Sequence, residues 1–320
     1  MATDTYTSTK FATIYTSDTD VVTKYLRKQP NIMGIRQGQN TLSPRFLIFY
    51  NFHKISPLIL HRLMRLKKLN PESLIVPCFG IRQQIYFPLL FRPRHTPDKF
   101  FNWFFLKSRK ITEYSKKINT VIEAKRRQEE LHSLCTFLDK KGLRLYCDFT
   151  PMGYYNMDLS VLNWYSSEGK NLDFDFLVYY EYDVFTSKSI NKLYEKYTEH
   201  DAGFVSFHKA QPGWYWNRTP FGGKDSVPKW LIALGKDTTL YRGLFACHFV
   251  SRKVLSKFES MNMPQGYCEL RWPTIITNFG FSCTPLDFPM VKFRPRLSKQ
   301  EVENNLEKGI FHPVFENINE

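Results

Sequence analysis

Two short apolar runs rich in β-formers, PRFLIFYNF (44–52) and SLIVPCFG (73–80), bracket one amphipathic run, LILHRLMRLKKL. The middle run follows Ser56-Pro57, a helix-start pair, and stops at Asn70-Pro71; its apolar residues recur at helical spacing with Arg and Lys between them. Strand, helix and strand this closely spaced make a βαβ unit, and strands joined that way lie parallel in one sheet. That constraint selects an α/β fold before any other residue is considered.

The alternation continues. A polar, charged helix is expected over 119–141, closing on Gly142 as its C-cap, then a strand in LRLYCDF (143–149) and a helix in DLSVLNWYSSEG (158–169). A strand over 174–180, a helix in SINKLYEKYTEH (189–200) and a strand in GFVSF (203–207) follow. The expected architecture is a mostly parallel central sheet flanked by helices, with a smaller subregion beyond 208. There AQPGWYWNRTPFGGKDSVPKW (210–230) is rich in Gly, Pro and Trp, a texture of loops that shape a pocket. Short elements then resume in GLFACHFV, SRKVLSKFESM, PTIITNFG and FSCTPL. Residues 1–43 are polar and aperiodic and read as an arm ahead of one body from 44 to 320.

The chain has 320 residues, with Lys and Arg exceeding Asp and Glu by 45 to 30 for a net charge of +15. This balance favours polyanionic partners, whether nucleic acid, an anionic membrane face or phosphate-bearing small molecules. No apolar run reaches the roughly eighteen residues a membrane span needs. The N-terminus is Thr/Ser-rich and lacks a secretory profile. Cys78, Cys135, Cys147, Cys247, Cys268 and Cys283 are scattered without a CxxC pair. They read as buried free thiols in a reducing, cytoplasmic setting and not as a disulfide or zinc framework.

Three segments carry candidate chemistry. In DFDFLVYYEYDVFT (173–186) an apolar strand ends on Glu181 and Asp183. Strand side chains alternate, so positions i and i+2 project together, with Tyr182 opposite. Two converging carboxylates at a strand's carboxyl end suit a hard divalent cation beside a ligand's phosphates, although the same pair also suits a helix cap. In GYCELRWPTIITNFGF (266–281) Glu269 lies among apolar and aromatic residues, ahead of a helix that Pro273 opens in its first turn. There it is either a carboxylate of raised pKa able to act as a base, or the partner of Arg271 in an ion pair or cap. In GIFHPVF (309–315) His312 is either structural or a third ligand, and imidazole beside carboxylates suits Mn²⁺ better than Mg²⁺.

Taken in order, these segments resemble glycosyltransferases of the A-type (GT-A) fold, which use a nucleotide-diphosphate sugar as donor. FLVYYEYDVF resembles their DxD metal motif, with Glu181 where the first Asp usually stands; CELRWPTIITNFGF resembles the acceptor-side segment, and GIFHPV the C-terminal His turn that returns to the metal. RFLIFYNFHK resembles the nucleotide-binding start, and the resemblance runs in order over residues 45–315. It implies Mn²⁺ or Mg²⁺ on Asp183, helped by Glu181 and His312. It also implies Glu269 as base in an inverting hexosyl- or pentosyltransfer to a glycan, lipid-linked or protein acceptor.

Asn51, His53 and Asp148 follow strand ends where donor base or ribose would rest, and each equally suits a turn or cap. Trp214, Tyr215, Trp216 and Arg218 offer stacking faces and a phosphate partner, or a merely packed loop. FFNWFFLKSRK (100–110), with Lys107, Arg109 and Lys110, reads as a peripheral membrane contact or as an element buried on the sheet. Two other function classes fit parts of the chain. A basic nucleic-acid-binding protein fits the charge, yet no recognisable binding motif is present and no nucleic-acid partner is expected. A nucleotidyltransferase also uses carboxylates and a divalent ion, yet the loop after the first strand, YNFHKISP, lacks the Gly/Lys/Arg richness that reaction favours.

Overall fold

The computed structural model describes residues 44–80, 129–148, 150, 155–212, 214 and 226–318. The arm over 1–43, the aromatic-basic segment 100–110, Tyr215, Trp216 and Arg218 lie outside the described residues. The chain divides into two compact units, Met1–Thr41 with Arg92–Phe137 and Leu42–Phe91 with Leu138–Glu320. The second unit carries the sheet.

Seven strands form that sheet in the order β3-β2-β1-β4-β7-β6-β8. They span Phe46–Phe52 (β1), Leu74–Gly80 (β2), Tyr146–Asp148 (β3), Phe176–Glu181 (β4), Ala202–Lys209 (β6), Tyr241–Ser251 (β7) and Cys283–Pro285 (β8). A separate two-stranded ladder pairs Phe185–Thr186 (β5) with Ile310–Phe311 (β9). Strands β1 to β4 pair in parallel, as do β6 and β8, and β7 alone runs against its neighbours β4 and β6. The α/β class with a mostly parallel central sheet, flanked by helices, is therefore the observed one.

Local chemistry explains these elements. All seven residues of β1 are buried, which a strand covered on both faces requires. The helix Pro57–Leu69 starts on Ser56, whose hydroxyl accepts the Ile59 N–H at 3.3 Å, with Pro57 in its first turn. It stops at the fully buried Asn70, whose amide donates to the Leu66 carbonyl and whose Oδ1 accepts the Ile190 N–H at 2.6 Å. Helical residues 129–140 end at Gly142, left-handed at φ +66°, where the Leu143 N–H reaches back to the Leu138 carbonyl. All six cysteines are free thiols, and five are buried. Among the described residues no helix is long and apolar enough to cross a membrane.

Two elements differ from expectation. The helix expected over 189–200 is short, Ile190–Tyr194, and tightens into a 3-10 turn at Glu195–Tyr197. The acceptor-side helix runs Cys268–Asn278, so Pro273 lies inside it and Glu269 occupies its first turn. Tertiary packing overrides the proline: Trp272, Ile275 and Ile276 are wholly buried, and Arg271 is locked below the surface. Arg271 Nε donates to Asp158 Oδ2 at 2.7 Å and Nη2 to Asp158 Oδ1, while Nη1 reaches the Pro264 carbonyl at 3.1 Å. This ion pair ties Cys268–Asn278 to the helix Met157–Ser167. Removing one partner strands a buried charge, so Arg271→Met is expected to lose about 3–5 kcal/mol in urea unfolding; a change within experimental error would show that the pair contributes no net stability.

Candidate metal centre

The carboxyl end of β4 sits beside the carboxyl end of β1, with Asn51 the register partner of Glu181. From β1 the chain moves outward through β2 and β3, then returns to the other side of β1 as β4. The crevice above this reversal is where open α/β sheets bind ligands.

Glu181 is the last residue of β4, and Asp183 lies just beyond, in a turn closed by the Val184 N–H on the Glu181 carbonyl at 3.0 Å. The strand therefore ends at Glu181, and a turn, not the strand pleat, brings the two carboxylates together. Tyr182 faces away, with its ring edge-on to His53 at 4.8 Å and to Phe315 at 6.4 Å. His312 arrives from the far end of the chain. The β5–β9 ladder returns the C-terminal segment to the residues just after Asp183, and the Val314 N–H donates to the Asp183 carbonyl at 2.8 Å. Gly309, at φ +88°, makes the turn into β9; a Cβ there would lie 2.8 Å from Leu193 and 2.9 Å from Lys188.

Glu181, Asp183 and His312 offer one ligand atom each, all within 4.8 Å of one another. His312 Nε2 lies 3.5 Å from Asp183 Oδ1 and 3.9 Å from Glu181 Oε2. Its Nδ1 sits 2.9 Å from the Lys292 carbonyl, a contact that places the N–H there and leaves Nε2 as the lone pair when the ring is neutral. Asp183 Oδ1 is buried with no hydrogen-bond partner. Two carboxylates and one imidazole, with an orphaned oxygen between them, fit a hard-to-borderline divalent cation such as Mn²⁺.

The electrostatics agree. Burial, then repulsion from Asp183, pushes Glu181 up to about 8, against the opposing pull of His312. Burial alone would lower His312, but the nearby carboxylates of Asp183 and Glu181 raise it to about 9.

Glu269 also contributes to the field at Glu181. It is buried, and its Oε1 accepts the Phe245 N–H at 3.1 Å. Burial, offset in part by that bond and by His312, pushes it up to about 7. The alternative pairing with Arg271 does not form; Arg271 is occupied by Asp158.

The remaining candidates spread out. Asn51 is buried, donates to the Tyr179 hydroxyl at 2.5 Å, and keeps its Oδ1 unpartnered. His53 is half-buried; desolvation and Lys54 lower its pKa while Asp183 opposes them. Asp148 takes the turn-forming role. Its Oδ1 accepts the Thr150 N–H and hydroxyl at 3.0 and 2.6 Å, and its Oδ2 accepts the Ser160 hydroxyl at 2.5 Å. Trp214 lies under the Arg242 guanidinium at 5.2 Å, and Arg242 also bonds His208.

One feature gives no signal in the sequence. Cys247 in β7 and Ser206 in β6 adopt φ +63° and +55°, left-handed values that non-glycine residues rarely take. The β4–β7 pairing ends at Val178↔Phe249, so β7 leaves β4 just before the strand that bears Glu181 ends. Such bulges gather beside functional sites and re-aim side chains.

No family model matches the chain, and no curated protein matches it. Among solved structures, the chain is similar to the mannosyltransferase PcManGT from Pyrobaculum calidifontis in complex with GDP-Man and Mn²⁺, at 14% identity and a TM-score of 0.37. The match covers 83% of this chain and 61% of that enzyme's chain, less than two thirds of its length. A likeness this weak carries no argument about what the site does.

The buried Glu269 carboxylate sets a measurable trade-off. Its folded pKa of about 7 lies above the ordinary 4.5, so the folded state binds the proton more tightly and stability falls as pH rises between those values. Glu269→Gln removes that penalty and keeps an acceptor for the Phe245 N–H. Thermal unfolding is expected to show the variant more stable than wild type near pH 8, by at most about 3 kcal/mol, with the difference gone near pH 4.

Proposed function

We propose that the chain is a metal-dependent glycosyltransferase of the A-type fold, moving a hexosyl or pentosyl group from a nucleotide-diphosphate sugar to an acceptor hydroxyl with inversion. The observation that carries this reading is the Glu181–Asp183–His312 cluster, held at the reversal point of a parallel sheet with an unpartnered Asp183 oxygen. The order of the sequence motifs supports it.

Asp183 is the principal ligand, His312 supplies nitrogen through Nε2, and Glu181 completes the set. A bound Mn²⁺ or Mg²⁺ would neutralise the donor's phosphates and the charge that grows on the departing nucleotide. Asn51, with its free Oδ1, and the half-buried His53 supply polar contacts for base or ribose at the end of β1. Trp214 offers a face to the sugar, and Arg218 a phosphate contact.

Glu269 takes the proton from the acceptor hydroxyl. The acceptor oxygen bonds to the anomeric carbon, the bond from that carbon to the phosphate oxygen breaks, and its electron pair leaves with the nucleotide. The Phe245 N–H holds one Glu269 oxygen still, so the carboxylate meets the acceptor in one orientation. The acceptor class is a glycan, lipid-linked saccharide or protein hydroxyl, reached from a cytoplasmic or membrane-peripheral position.

Three measurements test the reading. Thermal shift against a panel of nucleotide sugars should show stabilisation by one donor that depends on Mn²⁺ and is lost in Asp183→Asn and His312→Ala. No donor shift, together with salt-sensitive oligonucleotide binding, would sink it. In steady-state kinetics Glu269→Gln should fall about 10²–10⁴-fold at unchanged fold, and near wild-type turnover would remove the base assignment. Because a base must be ionised, the wild-type rate should climb as pH rises through about 7 and then level.

A further inference from the structure

Arg62 lies on the inward face of the helix Pro57–Leu69, with Ile59, Leu63 and Leu66 as its buried companions. A buried arginine ordinarily pairs with a carboxylate. Among the described residues Arg62 forms no such ion pair and donates instead to three backbone carbonyls. Nη1 reaches the Tyr182 carbonyl at 3.0 Å and the Val314 carbonyl at 2.7 Å, and Nη2 reaches the Glu316 carbonyl at 2.9 Å.

The choice of carbonyls is informative. Tyr182 is the residue between Glu181 and Asp183. Val314 lies two residues after His312, and its own N–H donates to the Asp183 carbonyl. One rigid guanidinium therefore joins the turn that carries the two carboxylates to the segment that carries the imidazole. The planar fork of arginine suits this, because its donors leave in fixed directions from one group.

We infer that Arg62 is a positioning residue for the metal centre, fixing the distance between Asp183 and His312 and so setting the affinity for a divalent cation. This inference rests on the reading that Glu181, Asp183 and His312 hold such a cation. Charge alone would act the other way. Arg62 is near enough to Asp183 for their charges to interact, and a nearby cation repels a metal ion. Geometry and charge thus predict opposite signs for the same substitution.

The experiment is Mn²⁺ binding to the full chain, followed by calorimetry and by the loss of the free-ion EPR signal, in wild type, Arg62→Met and Arg62→Lys. Folding is checked first by circular dichroism. Outer-sphere partners of metal ligands typically change affinity about 10–100-fold, and a loss of that order is expected in each folded variant. Lysine keeps the charge but lacks the fork, so it should not restore wild-type affinity. Unchanged or tighter Mn²⁺ binding in a folded variant, wild-type binding by Arg62→Lys, or loss of fold in both variants would overturn the inference. Failure of the wild-type chain to bind Mn²⁺ would instead overturn the metal reading beneath it, so the two failures are separable.

Discussion

Two carboxylates held at one dry strand end repel each other, and the surrounding structure must supply positive charge to keep them there. At the end of β4 that charge comes from 129 residues further along the chain, from His312 (183 to 312). The rest of the architecture around the site follows from this requirement. The β5–β9 ladder returns the chain, Gly309 turns it at a left-handed φ, and the Val314 N–H anchors it on the Asp183 carbonyl. Loop closure over such a span is entropically unfavourable, but the penalty grows only slowly with length. A handful of buried backbone hydrogen bonds therefore suffices to offset it.

The strand on the other side of β4 shows how much the fold tolerates for the same purpose. Left-handed backbone at Cys247 costs of order 1–3 kcal/mol and persists only where neighbours over-determine it. Those neighbours are present: the Tyr194 hydroxyl donates to the Cys247 carbonyl at 2.7 Å, and His248 is held at Nδ1 by the Phe245 carbonyl. The His248 ring lies flat against Phe204 at 5.3 Å and against Tyr179 at 5.3 Å. Burial keeps that imidazole neutral, with its pKa pushed down to about 3. The bulge thus has its own support, and it turns the Phe245 N–H towards Glu269.

The layered fold was legible because parallel strands must be apolar on both faces. FLIFYNF, LIVPCFG and FLVYYE are such runs, and the amphipathic helix between the first two fixed their direction. The candidate metal-binding carboxylates stood out because two carboxylates ending an apolar strand break its pattern. Other features leave no comparable trace. Arg62 looks like any helical arginine, since its heptad neighbours do not reveal that its partners lie at Tyr182, Val314 and Glu316. The left-handed values at Cys247 and Ser206 have no glycine to announce them. Pro273 pointed to a helix start because local chemistry favours that position, while burial of Trp272 and Ile276 decided otherwise. Asp148 shared its position with the other strand-end candidates, and only Thr150 and Ser160 mark it as a turn former.

Glu269 and Arg271 make the most instructive pair, because their spacing of two invites a salt bridge that would end any catalytic use of the carboxylate. On a helix, residues two apart point to different faces. Asp158 then decides the matter by binding Arg271 through two nitrogens inside the core, with the Pro264 carbonyl taking a third donor. The arginine is committed to these partners, and Glu269 keeps the Phe245 N–H and the Tyr267 side chain in a dry setting that lifts its pKa to about 7. A structural ion pair on one face of the helix is therefore what preserves a proton-accepting group on the other. The same short segment stabilises the fold through Arg271 and gives up stability at Glu269, the division that the proposed role of Glu269 as a base calls for.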